Sequence, residues 1–287
     1  AQLCQFALYH LSRWWGPADR FAVAALNNLG NALHSAGEYE AALKCRQRQI
    51  TLARASGDER HISATLQNQG ETLGELGMWR EAVACLEEAL AIDRGRVGQM
   101  HPDIAATLGS LGAIYWHQGH LDTAERFYRE ALEIDRRILG DAHPNTQNKA
   151  VSLAGLLWRR GEIDEAEKLV RQMIADTVAR EGALSQRLVD GFCVLSEILK
   201  AADKLDEAEA AARDGLRIVQ QTCPPGHPSR ALLRTRLAVI LLARPDADAV
   251  EIEGLLKTAF EIDNQGQYPA LQDSATAYGD FLRSHNR

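Results

Sequence analysis

The amino-acid sequence predicts an all-α fold, an α-solenoid built from antiparallel helix pairs. The first observation is an internal repeat, because glycines that each end an apolar helical stretch are spaced 40, 42 and 42 residues apart, at Gly37, Gly77, Gly119 and Gly161. The second is that apolar residues on both sides of these glycines recur at steps of three and four, the period of a helix that buries one face. Repetition at this period indicates units that each pack against their neighbours.

Composition restricts the class of protein. The 287 residues are 46% hydrophobic and 25% charged, as in a folded protein, and 22 glycines and 8 prolines are too few for a loop-rich one. The net charge of −7 supplies no general attraction to a phosphate backbone, so we expect no nucleic-acid partner. No apolar stretch reaches the roughly 18 residues of a membrane span and no signal peptide is evident, so we expect no membrane association and a cytoplasmic location.

Each repeat is predicted to contain a first helix before the turn glycine and a second helix after it. A small residue follows each turn by five positions, which allows the two helices to approach closely. These small residues are Ala42, Ala82, Ala124, Ala166 and Ala208. The same spacing continues at Asp203 and at Pro245, so two further turns are predicted there, without the glycine of the earlier repeats. A short insertion follows Pro245.

The loops between repeats share a His-Pro pair, at His101-Pro102, His143-Pro144 and His227-Pro228. Proline suits the first turn of a helix because its missing N–H has no partner there and its φ is already helical. We therefore expect a first helix to begin at each of these prolines. Ser185 stands where the pattern places a junction histidine.

Two further details carry a family resemblance. Leu29-Gly30 and Leu111-Gly112 stand at equivalent places in first helices, and one junction reads Leu139-Gly140-x-x-His143-Pro144. With the turn glycines, these residues resemble the tetratricopeptide repeat (TPR), in the 42-residue form found in kinesin light chains and in many bacterial signalling proteins. The resemblance implies a right-handed superhelix with about six helix pairs over residues 20–264. Residues 1–15 are then predicted to be the second helix of a truncated leading repeat, as in part of a larger bacterial protein, and residues 268–287 a C-terminal capping helix.

In tetratricopeptide repeats, first-helix positions between the core residues line a concave groove, and the resemblance implies the same here. The implied groove residues are Asn27, Asn28, Asn31, Gln67, Asn68, Glu71, Ser110, Ala113, Trp116, His117, Ser152, Gly155, Trp158, Arg159, Asp190, Glu197 and Lys200. Amides donate and accept at once, so Asn and Gln side chains one repeat apart can hydrogen-bond the backbone of an extended peptide. The alternative is that these amides satisfy neighbouring helix ends or water.

Aromatic residues occupy two kinds of position in the repeat. Trp116 and Trp158 are equivalent residues of successive first helices, and they are candidates to hold an apolar anchor of a partner. Packing between repeats is the alternative. Tyr39 and Trp79, at the turn, are expected in the core because later repeats carry apolar residues there, namely Leu121, Ile163 and Leu205.

No pattern indicates a metal, a cofactor or a catalytic centre. Neighbouring repeats are roughly 8–10 Å apart and zinc ligands lie about 2 Å from the ion, so the junction histidines cannot share a metal, while His117 and His120 lack a third ligand. The sequence also lacks a phosphate-binding loop and the zinc-protease and serine-hydrolase motifs. The cysteines are odd in number and never form a C-x-x-C pair, so reduced thiols are expected, with the second and third buried, at Cys4, Cys45, Cys85, Cys193 and Cys223.

These observations favour a protein-interaction scaffold that binds a peptide or protein partner in its groove, without enzymatic activity. The alternative is a sensor or autoinhibitory module of a larger signalling ATPase or transcriptional regulator. In that case the partner is an adjoining domain of the same polypeptide.

Overall fold

The computed structural model describes residues 20–245, 247–265 and 272–284. In these ranges the chain forms thirteen α-helices and no strand, so the predicted all-α class is confirmed. The helices are α1 (Arg20–Ser35), α2 (Tyr39–Ser56), α3 (Glu59–Glu75), α4 (Trp79–Val97), α5 (Pro102–His117), α6 (Leu121–Leu139), α7 (Pro144–Arg160), α8 (Ile163–Glu181), α9 (Leu188–Ala201), α10 (Leu205–Thr222), α11 (Pro228–Leu242), α12 (Ala249–Gln265) and α13 (Gln272–Ser284). The predicted helix over residues 1–15 lies outside the described residues, as do residues 268–271 and 285–287 of the predicted cap.

The first twelve helices follow one another as first and second members of pairs, from α1/α2 to α11/α12, and each first helix packs on the second helix after it. The turn inside four of the pairs contains a glycine in the left-handed conformation, with φ between 71° at Gly77 and 85° at Gly161. Asp203 occupies the same place before α10 and also has a positive φ, 59°. The turn geometry is therefore kept where the glycine is not.

The contacts divide the chain into two compact units, Ala1–Ile138 and Leu139–Arg287. In the first unit, one core cluster joins α3 to α6 and includes the fully buried Leu86, Leu108 and Leu111. First and second helices approach closely at glycines: a Cβ atom at Gly70 would lie 2.7 Å from Leu86 Cγ, and one at Gly112 would lie 2.9 Å from Tyr128 Cδ1. No side chain fits at either position unless its neighbour moves.

In the second unit, α7 to α12 bury a core that includes Leu156, Leu157 and Leu233. The small residues predicted to lie between the helices of a pair, Ala166 and Ala208, have no exposed surface. Helix α13 packs against α11 and α12 and lies within the range predicted for a cap.

Junction histidines cap first helices. Nδ1 of His101 accepts a hydrogen bond from the backbone N–H of Asp103 at 3.2 Å, and His143 and His227 do the same for the second residue after them. The helix begins at the following proline in all three cases, as predicted. Ser185 also accepts a hydrogen bond from a backbone N–H, that of Arg187, and α9 begins at the next residue.

Arginine–glutamate pairs link successive second helices on their exposed sides. The repeat places the glutamate of one second helix beside the arginine of the preceding one. The pairs are Arg54–Glu88, Arg94–Glu130, Arg171–Glu207 and Arg213–Glu251, with N–O distances of 2.5–3.1 Å. Each is exposed to solvent and contributes about 1 kcal/mol or less to stability.

Candidate functional site

Amide side chains from successive first helices meet on one surface of the first unit. Asn68 Nδ2 of α3 donates a hydrogen bond to Asn27 Oδ1 of α1 at 3.1 Å, and Gln49 of α2 donates to the same oxygen at 3.5 Å. Asn28 and Asn31 are exposed next to them on α1. Two of the predicted groove amides, Asn27 and Asn68, are thus hydrogen-bonded to each other across two repeats, whereas Asn28 and Asn31 are exposed to solvent.

A buried arginine lies beneath this amide surface. Arg46 of α2 is only 2% exposed, yet its Nε donates to Thr72 Oγ1 at 2.8 Å and its Nη2 donates to Asn31 Oδ1 at 3.1 Å. Burial lowers the pKa of Arg46, and the carboxylate of Glu71 opposes that shift. His34 Nδ1 lies 3.2 Å from the same Thr72 hydroxyl, so one threonine joins α1, α2 and α3.

Glu71 of α3 connects the amide surface to the next repeat, because its Oε1 accepts a hydrogen bond from Ser110 Oγ of α5 at 2.8 Å. Beside this pair a cleft of about 360 Å³ opens between α3 and α5, and we call it the α3–α5 slot. Its lining residues are Glu71, Gly74, Glu75, Trp79, Ser110, Ala113, Ile114 and His117.

Two stacked rings form one wall of the α3–α5 slot. The indole of Trp79 and the imidazole of His117 have centroids 5.8 Å apart and planes inclined by 13°. Trp79 is half-buried and also packs against the core cluster of the first unit. The sequence predicted Trp79 as a core residue only, whereas in the structure its side chain packs against the core and also lines the slot.

The slot exists because α3 carries glycine at a position that is large in the other repeats. The residues one or more repeats away from Gly74 are His34, Trp116, Trp158, Lys200 and Leu242. A Cβ atom at Gly74 would lie 3.6 Å from Ile114 Cγ1, an ordinary contact distance. A side chain is therefore tolerated here in principle, and its absence leaves the space open.

Three further residues of the first unit that the sequence singled out, Trp116, Gln67 and Tyr39, are not among the lining residues of the slot. Trp116 is half-buried and packs edge-on against Tyr128 of α6, with centroids 6.3 Å apart. Its indole therefore makes a contact within its own helix pair. Gln67 is half-buried, and Tyr39 is half-buried with its ring edge-on to His34.

In the second unit, the predicted site residues have separate surroundings. Ser152 Oγ donates to the backbone carbonyl of Asn148 at 3.0 Å, Trp158 is half-buried, and Arg159 is exposed. Glu197 is nearly buried and lies 3.0 Å from Arg236 and 3.4 Å from Lys200.

Glu197–Arg236 repeats a connection of the first unit. Like Glu71 and Ser110, the two residues stand 39 positions apart on successive first helices. A glutamate on one first helix and a donor on the next thus form the same link in both units.

Sequence reasoning missed Arg46 and the slot. Arg46 occupies the same repeat position as Leu86, Tyr128 and Val170. A charged residue at a position that is otherwise large and mostly apolar was the signal in the sequence that could have identified it. Gly74 likewise interrupts a column of large residues. Both exceptions become visible only when the repeats are compared position by position.

Other chemistry has little representation in the described part of the chain. Residues 20–245, 247–265 and 272–284 contain no group of three or more metal-ligating side chains. No helix in these ranges has the length and apolarity needed to cross a membrane. Among the described residues, Cys45, Cys85, Cys193 and Cys223 form no disulfide. Cys45 is buried, as predicted, whereas Cys85 is half-buried and the prediction that it is buried was wrong. Cys4 lies outside the described residues. Burial raises the pKa of the Cys193 thiol to about 12, which makes it a poor nucleophile.

Comparison with solved structures shows what this fold is similar to. A putative kinesin light chain with nearly identical TPR-like repeats from Podosopora anserina is 22% identical, with a TM-score of 0.59 over 71% of this chain and 96% of that one. The STAND protein with a tetratricopeptide repeat sensor from Pyrococcus horikoshii is 18% identical, with a TM-score of 0.67 over 97% of this chain and 42% of that one. The apo quorum sensor NprR from B. thuringiensis is 13% identical, with a TM-score of 0.75 over 99% of this chain and 76% of that one.

A search of curated proteins by sequence gives no match. A family model does match: the MalT-like TPR region, over residues 1–190. The repeat period, the helix pairs and this match agree. The chain belongs to the family of MalT-like TPR regions.

Proposed function

We propose that this chain is a protein-interaction module that binds an extended peptide segment of a partner across the first-helix surface of its first unit. The observation that carries the proposal is the meeting of amides from α1 and α3, with Asn68 bonded to Asn27 and with Asn28 and Asn31 exposed beside them. An exposed amide can bind both the N–H and the C=O of a peptide backbone.

The hydrogen bonds among these side chains support the proposal in a second way. Asn27 is fixed by Asn68, and Asn31 is fixed by Arg46, which is itself held by Thr72. Side chains that are already ordered lose less conformational entropy when a ligand binds. The surface is thus suited to recognise a backbone without large rearrangement.

The test is peptide selection on the purified chain from a phage-displayed library, followed by affinity measurement with Asn28→Ala. We expect affinity to fall about two- to tenfold, because one hydrogen bond contributes about 0.5–1.5 kcal/mol. Gln47→Ala is the matched control, since it removes an exposed amide from the second helix α2. Unchanged affinity in Asn28→Ala, or a failure to select any peptide, would contradict the proposal.

A second function is favoured by the family match and by the sensor proteins among the structural neighbours. In this alternative the same surface contacts an adjoining domain of the parent polypeptide and restrains it. Hydrogen exchange separates the two possibilities. If the alternative holds, backbone N–H groups of α1 and α3 exchange more slowly in a protein that includes the adjoining domain than in this chain alone. Equal exchange in both would remove the alternative.

A further inference from the structure

We propose that the α3–α5 slot binds the side chain of an arginine supplied by the partner. This proposal rests on the proposed function, because it names the anchor of a peptide whose backbone crosses the neighbouring amide surface. The slot's volume of about 360 Å³ is within the range of small-ligand sites and is ample for one long side chain.

Charge favours a cation in the slot. Glu71 and Glu75 lie one helical turn apart on α3, and both line the cleft. Arg46 beside Glu71 is buried behind the surface and offsets part of the negative charge, and the hydroxyl of Tyr39 lies near the carboxylate of Glu75. Each carboxylate has two oxygens and can accept several donors, so both retain capacity for an incoming cation.

The stacked rings select a planar cation over a compact one. A guanidinium is flat, has five N–H donors and stacks on aromatic faces, whereas the ammonium of lysine is a strongly hydrated point charge. Trp79 and His117 supply the aromatic wall of the slot from the start of α4 and the end of α5, whereas both carboxylates come from α3. One guanidinium can therefore contact an aromatic face while donating to a carboxylate.

The same features disfavour other anchors. An apolar side chain in the slot would remove water from Glu71 and Glu75 without replacing its hydrogen bonds, which is unfavourable. An acidic side chain would add like charge beside both carboxylates. The chain's net charge of −7 also favours the approach of a basic partner over an acidic one.

The experiment is an NMR titration of the purified chain with Nα-acetyl-arginine amide, followed at the indole N–H of Trp79, whose resonance is assigned from Trp79→Phe. Nα-acetyl-citrulline amide, nearly the same shape without the charge, is the control probe. We expect a saturable shift with the arginine probe and at least about tenfold weaker binding of the citrulline probe, because both the charge-assisted hydrogen bonds and the cation–π contact are lost.

Two variants locate the site. Glu71→Gln with Glu75→Gln is expected to weaken binding of the arginine probe at least about tenfold, and Gly74→Leu is expected to abolish it by filling the slot. Glu40→Gln with Glu87→Gln removes the same charge from exposed positions outside the slot and is expected to leave binding unchanged. Far-ultraviolet circular dichroism and melting temperature identify any variant that fails to fold, and the glutamine pair then provides the test independently of Gly74→Leu.

The outcomes separate this proposal from the broader one. Arginine recognition would be overturned if the citrulline probe binds as tightly as the arginine probe, or if the Trp79 indole resonance does not shift. It would also be overturned if the variant with Glu71→Gln and Glu75→Gln binds the arginine probe as tightly as the unmodified chain. Peptides selected in the library experiment that lose affinity in Asn28→Ala but not in the glutamine pair would overturn arginine recognition while supporting peptide binding. Loss of affinity in both variants supports both proposals.

Discussion

The indole of Trp79 stacks on the imidazole of His117 at a centroid distance of 5.8 Å, although the two residues belong to different repeats. Trp79 begins α4, where later repeats carry the smaller Leu121, Ile163 and Leu205. The larger ring reaches beyond the core to the end of α5. Because Gly74 leaves the adjoining space open, this contact becomes the wall of a cleft instead of the interior of a packed interface.

Trp79→Leu, which copies the residue of other repeats, is expected to remove that wall while keeping the fold. We expect a decrease of about 1–2 kcal/mol in the free energy of unfolding, because Trp79 is half-buried. Because both variants lack the Trp79 indole, binding of Nα-acetyl-arginine amide is followed here at the backbone N–H resonances of α3 and α5. Binding should be lost in the leucine variant and partly retained in Trp79→Phe, which keeps an aromatic face. Equal binding by both variants would show that the ring is not needed.

Arg46 tests whether a buried charge is required for the fold. Arg46→Ala leaves an empty space and frees Thr72 and Asn31, so we expect a loss of about 2 kcal/mol or more in urea unfolding. Arg46→Leu introduces the residue that the next repeat has at the same position, Leu86, and we expect the free energy of unfolding to fall by less than about 1.5 kcal/mol. If leucine is as damaging as alanine, the hydrogen bonds of the guanidinium matter more than its packing.

Asp203 adopts a left-handed conformation that other repeats give to glycine. Asp203→Gly should therefore raise the free energy of unfolding by about 0.5–1 kcal/mol, since the strain of a Cβ atom at positive φ is removed. Asp164→Gly, in the first turn of α8, is the control and should lower stability by about 0.5–1 kcal/mol. Thermal unfolding of both variants measures the difference, and equal shifts would contradict the interpretation.

Ala124 tests the assigned phase of the repeat. Its side chain has no exposed surface, so Ala124→Arg must bury a charge between helices or separate them. We expect a loss of more than about 3 kcal/mol or failure to fold. Ala91→Arg, at an exposed position of α4, should change stability by less than about 0.5 kcal/mol. Circular dichroism and urea unfolding distinguish the two variants, and a stable Ala124→Arg protein would refute the phase.

Glu167 predicts how stability depends on pH. Hydrogen bonds from Lys204 and from Arg171, both at 2.9 Å, lower the pKa of Glu167, and partial burial opposes them. A carboxyl whose pKa is lower in the folded state stabilises the protein above its unfolded pKa of about 4.3. That contribution is lost as pH falls through the folded pKa.

We therefore expect Glu167→Gln to lower the free energy of unfolding at pH 7 and to flatten its decline below about pH 4.3. Urea unfolding from pH 7 to pH 3 measures this dependence. In a background with Lys204→Met and Arg171→Met, the effect of Glu167→Gln should shrink, because its partners are gone. An unchanged effect in that background would contradict the assigned cause.

The sequence by itself determined the helices and their order. The turn glycines, the junction prolines and the three- and four-residue apolar spacing are local signals, and local signals decide where a helix begins and ends. The helices that begin at Pro102, Pro144 and Pro228 are predicted from the preference of proline for the first turn of a helix, without knowledge of tertiary contacts. The 42-residue period then indicates the family, and the family model agrees.

The tertiary structure decided which side chains meet. The bonds from Asn68 to Asn27 and from Ser110 to Glu71 join residues about one repeat apart, and their distances depend on how closely two first helices pack. Helix periodicity gives the face on which a residue lies but not the distance to the next helix. The α3–α5 slot is therefore a property of packing: it requires the absence of a side chain at Gly74 together with the reach of Trp79 to His117.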